Sequence, residues 1–100
     1  MSKRDGAEFD SAVIEFVFRR SKGKDEITGE DLQADAEVDH ILPIVWALNN
    51  APDIPKEVLK SADNARVVNQ KTHKERHRNF DESEAWAMVE YFRTLFKKLI

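Results

Sequence analysis

Cysteine is absent from this 100-residue chain, which excludes disulfide bonds and any zinc site built from thiolates. No apolar run approaches the ~20 residues that a membrane-spanning helix needs. The N-terminal residues lack the apolar stretch of a signal peptide, and no repeat or low-complexity segment is visible. We therefore expect a cytoplasmic protein.

The composition is typical of a globular protein with one small core, because 41% of the residues are hydrophobic and 35% are charged. We predict a single domain over residues 1–100. The net charge of −3 disfavours a protein that coats DNA. Basic residues nevertheless cluster, with four between 19 and 24 and five against one acid between 66 and 78. An acidic chain with such patches can still bind phosphate, although an ordinary charged surface explains them equally well.

Both ends of the chain have the apolar spacing of amphipathic helices. Residues 7–20 carry Phe9, Val13, Phe16 and Val17 on one face, and Gly23 is placed to end that helix. The C-terminal helix begins at Asp81, with Glu84 as a capping-box partner. Its apolar stripe consists of Ala85, Met88, Val89, Phe92, Leu95, Phe96 and Leu99. We expect the two helices to pack on each other through Phe9, Phe16, Phe92 and Phe96.

The middle of the chain alternates short elements. Residues 37–43 are predicted as a strand ended by a proline, and residues 65–68 as a second strand. Helical turns are predicted at 44–49 and 55–60, with a turn at 61–64 between them and the second strand. Residues 70–78 form a charged helical segment.

Three of these elements carry residues suited to metal chemistry. His73 and His77 are four apart, so a helix places both imidazoles on one face, close enough to share an ion. Asp39 is an oxygen ligand, and strand alternation points Asp39 and His40 to opposite faces. Each feature also has an ordinary explanation: surface histidines, a polar edge strand and, for Asn64, a turn.

Taken together, these segments resemble the HNH (ββα-metal) endonuclease family. The resemblance rests on Val38-Asp39-His40-Ile41-Leu42-Pro43-Ile44, on Asp63-Asn64-Ala65-Arg66-Val67-Val68 and on Lys71-Thr72-His73-Lys74-Glu75-Arg76-His77, and it covers residues 22–78. It implies an α+β fold in which a ββα-metal core, at about 37–78, is flanked by N- and C-terminal helices.

The resemblance also implies a function, metal-dependent hydrolysis of phosphodiester bonds in double-stranded DNA. His40 would be the general base, while Asn64 would either fix the loop that carries the strand or join the metal ligands. Asp39 and His73 would hold one divalent ion, with His77 as a weaker third ligand. Magnesium, manganese, nickel and zinc all suit such ligands. The residues expected to contact DNA phosphates are Arg66, Lys71, Lys74 and Arg76.

The chain departs from the family at four positions. Many members carry two Cys-x-x-Cys pairs that bind a structural zinc, and the corresponding residues here are Asp25, Thr28, Asn69 and Thr72. We therefore expect no structural zinc, and a loop at 21–36 that is held by packing and hydrogen bonds.

Two other classes of function stay open. The chain could be an HNH-like module that binds nucleic acid or protein without cutting, or a helical interaction domain in which the motif arose by chance. A homodimer is a further alternative, since Ile14, Phe18, Trp86 and Tyr91 supply more apolar surface than one small core needs.

Overall fold

The computed structural model describes residues 6–99, apart from the side chains of Phe96, Lys98 and Leu99, and it is an α+β fold. The elements are α1 (Ser11–Ser21), β1 (Glu37–His40), α2 (Ile44–Asn50), α3 (Lys56–Leu59), a 3-10 turn (Ala62–Asn64), β2 (Ala65–Val68), α4 (Gln70–Arg78) and α5 (Glu82–Leu99). None of the helices described has the length and apolarity to cross a membrane.

The two strands form an antiparallel pair with a fixed register. Asp39 lies opposite Arg66, and His40 lies opposite Ala65. Because side chains alternate along a strand, Glu37 and Asp39 share one face of β1, while Val38 and His40 share the other. Residues 37 and 39 face α4, and Val38 packs toward α1 in an apolar cluster. The two faces of β1 therefore lie toward different helices, α4 on one side and α1 on the other.

Apolar side chains form two clusters. The larger one surrounds α5, where Ala85, Val89 and Phe92 pack against α2, α3 and the chain around them. The smaller one joins α1 to β2 through Val17, Ala65 and Val67.

The predicted direct packing of the outer helices is wrong. Phe9 packs on the smaller cluster and Phe92 is buried in the larger one. Phe16 is 55% exposed, and the side chain of Phe96 lies outside the described part of the chain. Helical spacing identified an apolar face correctly, but α1 uses that face against β2.

The four side chains behind the homodimer alternative are exposed. Their exposed fractions lie between 37% and 52%, in the order Ile14, Phe18, Trp86 and Tyr91. The surplus of apolar surface predicted from the sequence is therefore present. A second copy of the chain is one way to cover it.

Helix ends follow side-chain hydrogen bonds. Asp10 accepts a bond of 2.9 Å from the amide of Val13, so α1 begins at Ser11 and not at residue 7. The left-handed residue that caps the C-terminus of α1 is Lys22, with φ of 55°, and not the predicted Gly23. Asp81 caps α5 as predicted, accepting from the amide of Glu84 at 3.3 Å.

Candidate metal centre

Strand β1 and helix α4 bring Asp39, His73 and His77 together. One ligand atom from each lies within 4.8 Å of the others. The two histidines are one helical turn apart, and their ring centroids are 4.5 Å from each other. Asp39 reaches them because its face of β1 is the face against which α4 lies. The three residues that the sequence proposed as ligands therefore form one cluster.

The nitrogen Nδ1 of His73 points to the carboxylate of Asp39. The distance to Asp39 Oδ1 is 3.5 Å, and within residues 6–99 this buried nitrogen has no hydrogen-bond partner. Leaving a buried polar atom without a partner is costly. Metal–ligand bonds of about 2.1 Å in a tetrahedral site separate neighbouring ligand atoms by roughly 3.4 Å. The geometry and the oxygen–nitrogen donor set therefore fit a divalent ion.

Glu37 faces the other nitrogen of His73. Its Oε2 lies 3.6 Å from His73 Nε2, and its Oε1 accepts a hydrogen bond from Gln70. A carboxylate beside the second nitrogen of a histidine fixes the orientation of its ring. Sequence reasoning missed Glu37, although its place two residues before Asp39 puts it on the same face of the strand.

Arg66 and Arg76 are engaged within the protein. The Arg66 guanidinium lies 3.7 Å from Asp39 and 3.3 Å from Glu84, and its side chain is only 13% exposed. Arg76 pairs with the same Glu84 at 2.5 Å. Their contact with DNA phosphates stays a prediction, and within the protein their ion pairs connect Asp39 and α4 to α5. Glu84, predicted only as a cap partner, has no local sequence signal for this role.

Lys71 and Lys74 project from α4 into solvent. They are the expected phosphate-binding residues whose side chains the fold leaves on the surface. Lys74 directly follows the candidate ligand His73 along the helix. The cations that line the groove beside the candidate ligands are Arg66 and Arg76, whereas Lys71 and Lys74 are not among its lining residues.

His40 occupies the opposite face of β1. Its ring stacks on Phe9 at 3.8 Å, with an angle of 12° between the planes, and its Nε2 lies 2.9 Å from the carbonyl oxygen of Ala7. Because a carbonyl only accepts, Nε2 carries the hydrogen, and in the neutral ring Nδ1 carries the lone pair. His40 and the three candidate ligands line one groove of about 860 Å³.

Asn64 is fully buried and holds the chain that leaves β1. Its Oδ1 accepts from the amide of Leu42 at 2.8 Å, and its Nδ2 donates to the carbonyls of Leu59 at 3.0 Å and Leu42 at 3.3 Å. Of the two roles implied for Asn64, this geometry is that of fixing the loop.

The four positions that the resemblance aligns with zinc cysteines, Asp25, Thr28, Asn69 and Thr72, are joined by hydrogen bonds. Asp25 is 1% exposed, and its carboxylate accepts from the amides of Ile27, Thr28 and Asn69 and from the hydroxyl of Thr72, at 2.7–3.0 Å. Burial raises the pKa of Asp25, but these bonds outweigh it and lower the pKa to about 2. The loop is therefore held by hydrogen bonds, as predicted.

The basic residues between 19 and 24 are largely neutralised by neighbours. Arg20 forms two bonds of 2.8 Å to Glu26 and donates to the carbonyl of Ala65 at 2.6 Å, and Lys24 pairs with Asp31. Burial raises the pKa of Glu26, yet the bond from Arg20 contributes to a net lowering. This patch ties α1 to β2.

Comparison with protein-family models, with curated proteins and with solved structures finds no match to the chain.

Proposed function

We propose that this chain is a metal-dependent DNA endonuclease of the HNH (ββα-metal) type. The observation that carries the proposal is the cluster of Asp39, His73 and His77 between a β-hairpin and a helix, with the buried Nδ1 of His73 turned toward Asp39 and lacking a partner within residues 6–99. The strand–strand–helix order and the His40 that follows Asp39 support the same assignment.

Hydrolysis of a phosphodiester requires an activated water and stabilisation of the charge on the phosphorus and on the leaving oxygen. Asp39, His73 and His77 would hold a divalent ion, which would supply that stabilisation as a Lewis acid. His40, whose Nε2 lies 2.9 Å from the carbonyl oxygen of Ala7, would accept the proton of the attacking water as the general base. The oxygen of that water bonds to phosphorus as the bond from phosphorus to the 3′ oxygen breaks, and the leaving 3′ oxygen takes a proton from solvent water to become a hydroxyl.

DNA is held by its backbone in this proposal. Lys71 and Lys74 contribute phosphate contacts that carry no sequence information. Cutting should therefore have little sequence preference. Double-stranded DNA is the substrate we propose.

A plasmid-nicking assay tests the function. We expect supercoiled DNA to be nicked in magnesium, manganese, nickel or zinc, and EDTA to stop the reaction. His40→Ala should lower the rate roughly 100- to 10,000-fold, which is the contribution of a general base. The variant should stay folded, with a melting temperature lowered by loss of the contacts to Phe9 and Ala7, and it should keep the wild-type affinity for the ion, since His40 is not among the candidate ligands.

The controls address contamination and the alternative function. Undiminished nicking by His40→Ala, purified in parallel, would exclude His40 as the base or reveal a contaminating nuclease. DNA binding without cutting in any of the four metals would instead favour the non-catalytic binding module.

A further inference from the structure

Helix α4 is held in place with little apolar contact. Among its nine residues, Thr72 is the buried one. Short helices in proteins usually depend on burial of an apolar face, which α4 does not have. The helix nevertheless carries two of the three candidate ligands, so its position must be set by polar contacts.

The first turn of α4 is bonded to a single carboxylate. Asp25 Oδ2 accepts from the backbone amide of Asn69 at 2.9 Å and from the hydroxyl of Thr72 at 2.7 Å. The other oxygen, Oδ1, is fixed by the amides of Ile27 at 2.8 Å and Thr28 at 3.0 Å. The carboxylate therefore joins the loop before β1 to the start of the helix.

The bonded residues adjoin the metal centre. Asn69 precedes α4, and Thr72 immediately precedes His73. Hydrogen bonds to an ionised carboxylate are shorter and about twice as strong as neutral ones. A shift of the first turn would carry His73 away from Asp39, which lies 3.5 Å from it.

We propose that Asp25 is the positioning residue of the metal centre: it anchors the first turn of α4 and thereby sets the distance between His73 and Asp39. Its effect on metal affinity rests on the proposed function, whereas the anchoring of α4 does not. Asp25 acts through Asn69 and Thr72 and does not contact the ion.

The variant Asp25→Asn tests the proposal with a side chain of the same shape. Its oxygen can still accept from Ile27 and Thr28, but its NH₂ group faces two donors and breaks the bonds to α4. Calorimetric titration with Mn²⁺ should show affinity lowered by about tenfold. This is the lower end of the effect seen when a residue that orients a metal ligand is lost. Amide exchange across residues 70–78 of the metal-free protein should be roughly tenfold faster.

Two controls separate positioning from loss of stability. Phe92→Leu thins the larger apolar cluster away from α4, and at an equal drop in melting temperature it should leave Mn²⁺ affinity unchanged. Thr72→Val removes one hydrogen bond to Asp25 and should show part of the loss in Mn²⁺ affinity and part of the faster amide exchange. Thr72→Ser keeps the hydroxyl and should behave like the wild type. The Thr72 pair also serves if Asp25→Asn does not fold.

The outcomes are distinct. If the wild type binds none of the divalent ions, the proposed function and the metal half of this proposal are overturned, while exchange in α4 still tests the anchor. Unchanged exchange in α4 of Asp25→Asn, or of Thr72→Val, overturns the anchor itself. Wild-type Mn²⁺ affinity in a variant with faster exchange shows that the anchor does not position the ligands.

Discussion

Helices α4 and α5 follow each other in the chain but are held in different ways. Helix α5 buries Ala85, Val89 and Phe92 in an apolar cluster. Helix α4 is fixed by Asp25 at its start and by the pair of Arg76 with Glu84 near its end. Apolar burial is strong but not directional, whereas hydrogen bonds and ion pairs fix atoms at defined distances. Helix α4, which carries two of the three candidate ligands, is therefore held by the directional contacts.

The largest expected effect is a loss of stability when the apolar cluster around α5 is disrupted. Phe92→Ala should lower the free energy of unfolding by about 3–5 kcal/mol, because a fully buried ring is replaced by a cavity. Phe16→Ala, at a ring that is 55% exposed, should change it little. Urea unfolding of the two variants measures the difference. Equal losses would show that Phe16 is buried in the folded protein and that the core is misplaced.

A buried polar group that belongs to neither helix gives the next test. Asn64→Ala removes the hydrogen-bond partner of the Leu42 amide and of the carbonyls of Leu42 and Leu59. We therefore expect the free energy of unfolding to fall by about 2–3 kcal/mol. Asn49→Ala, at an exposed asparagine in α2, is the control. Mn²⁺ affinity measured on folded Asn64→Ala separates the two roles implied for this residue, since a ligand would lower it far more than a residue that fixes the loop.

Acid should weaken the polar attachment of α4. The pKa of Asp25 is about 2 in the folded protein, below the ordinary value of 3.8, so its contribution is complete above about pH 4 and is lost as the pH falls through 2. The difference corresponds to roughly 2 kcal/mol. The free energy of unfolding, measured at a series of pH values, should fall less steeply toward low pH in Asp25→Asn than in Asp35→Asn, a control at an exposed residue. Identical slopes would contradict the carboxylate's role.

The smallest effect concerns the outer surface of α4. Lys71→Gln with Lys74→Gln should leave the melting temperature unchanged, because both side chains are exposed. If each contacts one phosphate, the double variant lowers the salt dependence of DNA binding by about 1.8 in log–log slope. Lys97→Gln, on α5, is the control. Fluorescence anisotropy at several salt concentrations measures the slopes, and equal slopes would remove both lysines from the interface.

Local signals made much of the fold predictable. The strand at 65–68 and the helix at 70–78 were placed with the bounds observed, because turn residues and charge patterns mark both ends. The choice of partner for α1 was wrong, since helical spacing defines an apolar face without saying what covers it. Phe16 shows the consequence: it shares the predicted face but lies in solvent.

The site was predictable where the ligands sit on regular elements. The spacing of His73 and His77 placed both on one helical face, and the resemblance added Asp39. Glu84 could not be found this way, because its bonds to Arg66 and Arg76 cross between separate elements and leave no periodic trace. A cluster that depends on tertiary contacts becomes visible only when the chain is folded.

The Asp25 carboxylate also has a consequence for how the protein responds to its surroundings. A bound ion stabilises a fold by mass action, so its effect rises and falls with the free concentration of that ion. A side chain that joins the loop to α4 is part of the same molecule, and its contribution has no such concentration dependence. In the proposed enzyme, chelation would then empty the candidate site at Asp39, His73 and His77 without releasing the loop, so loss of activity and loss of the fold would be separate events.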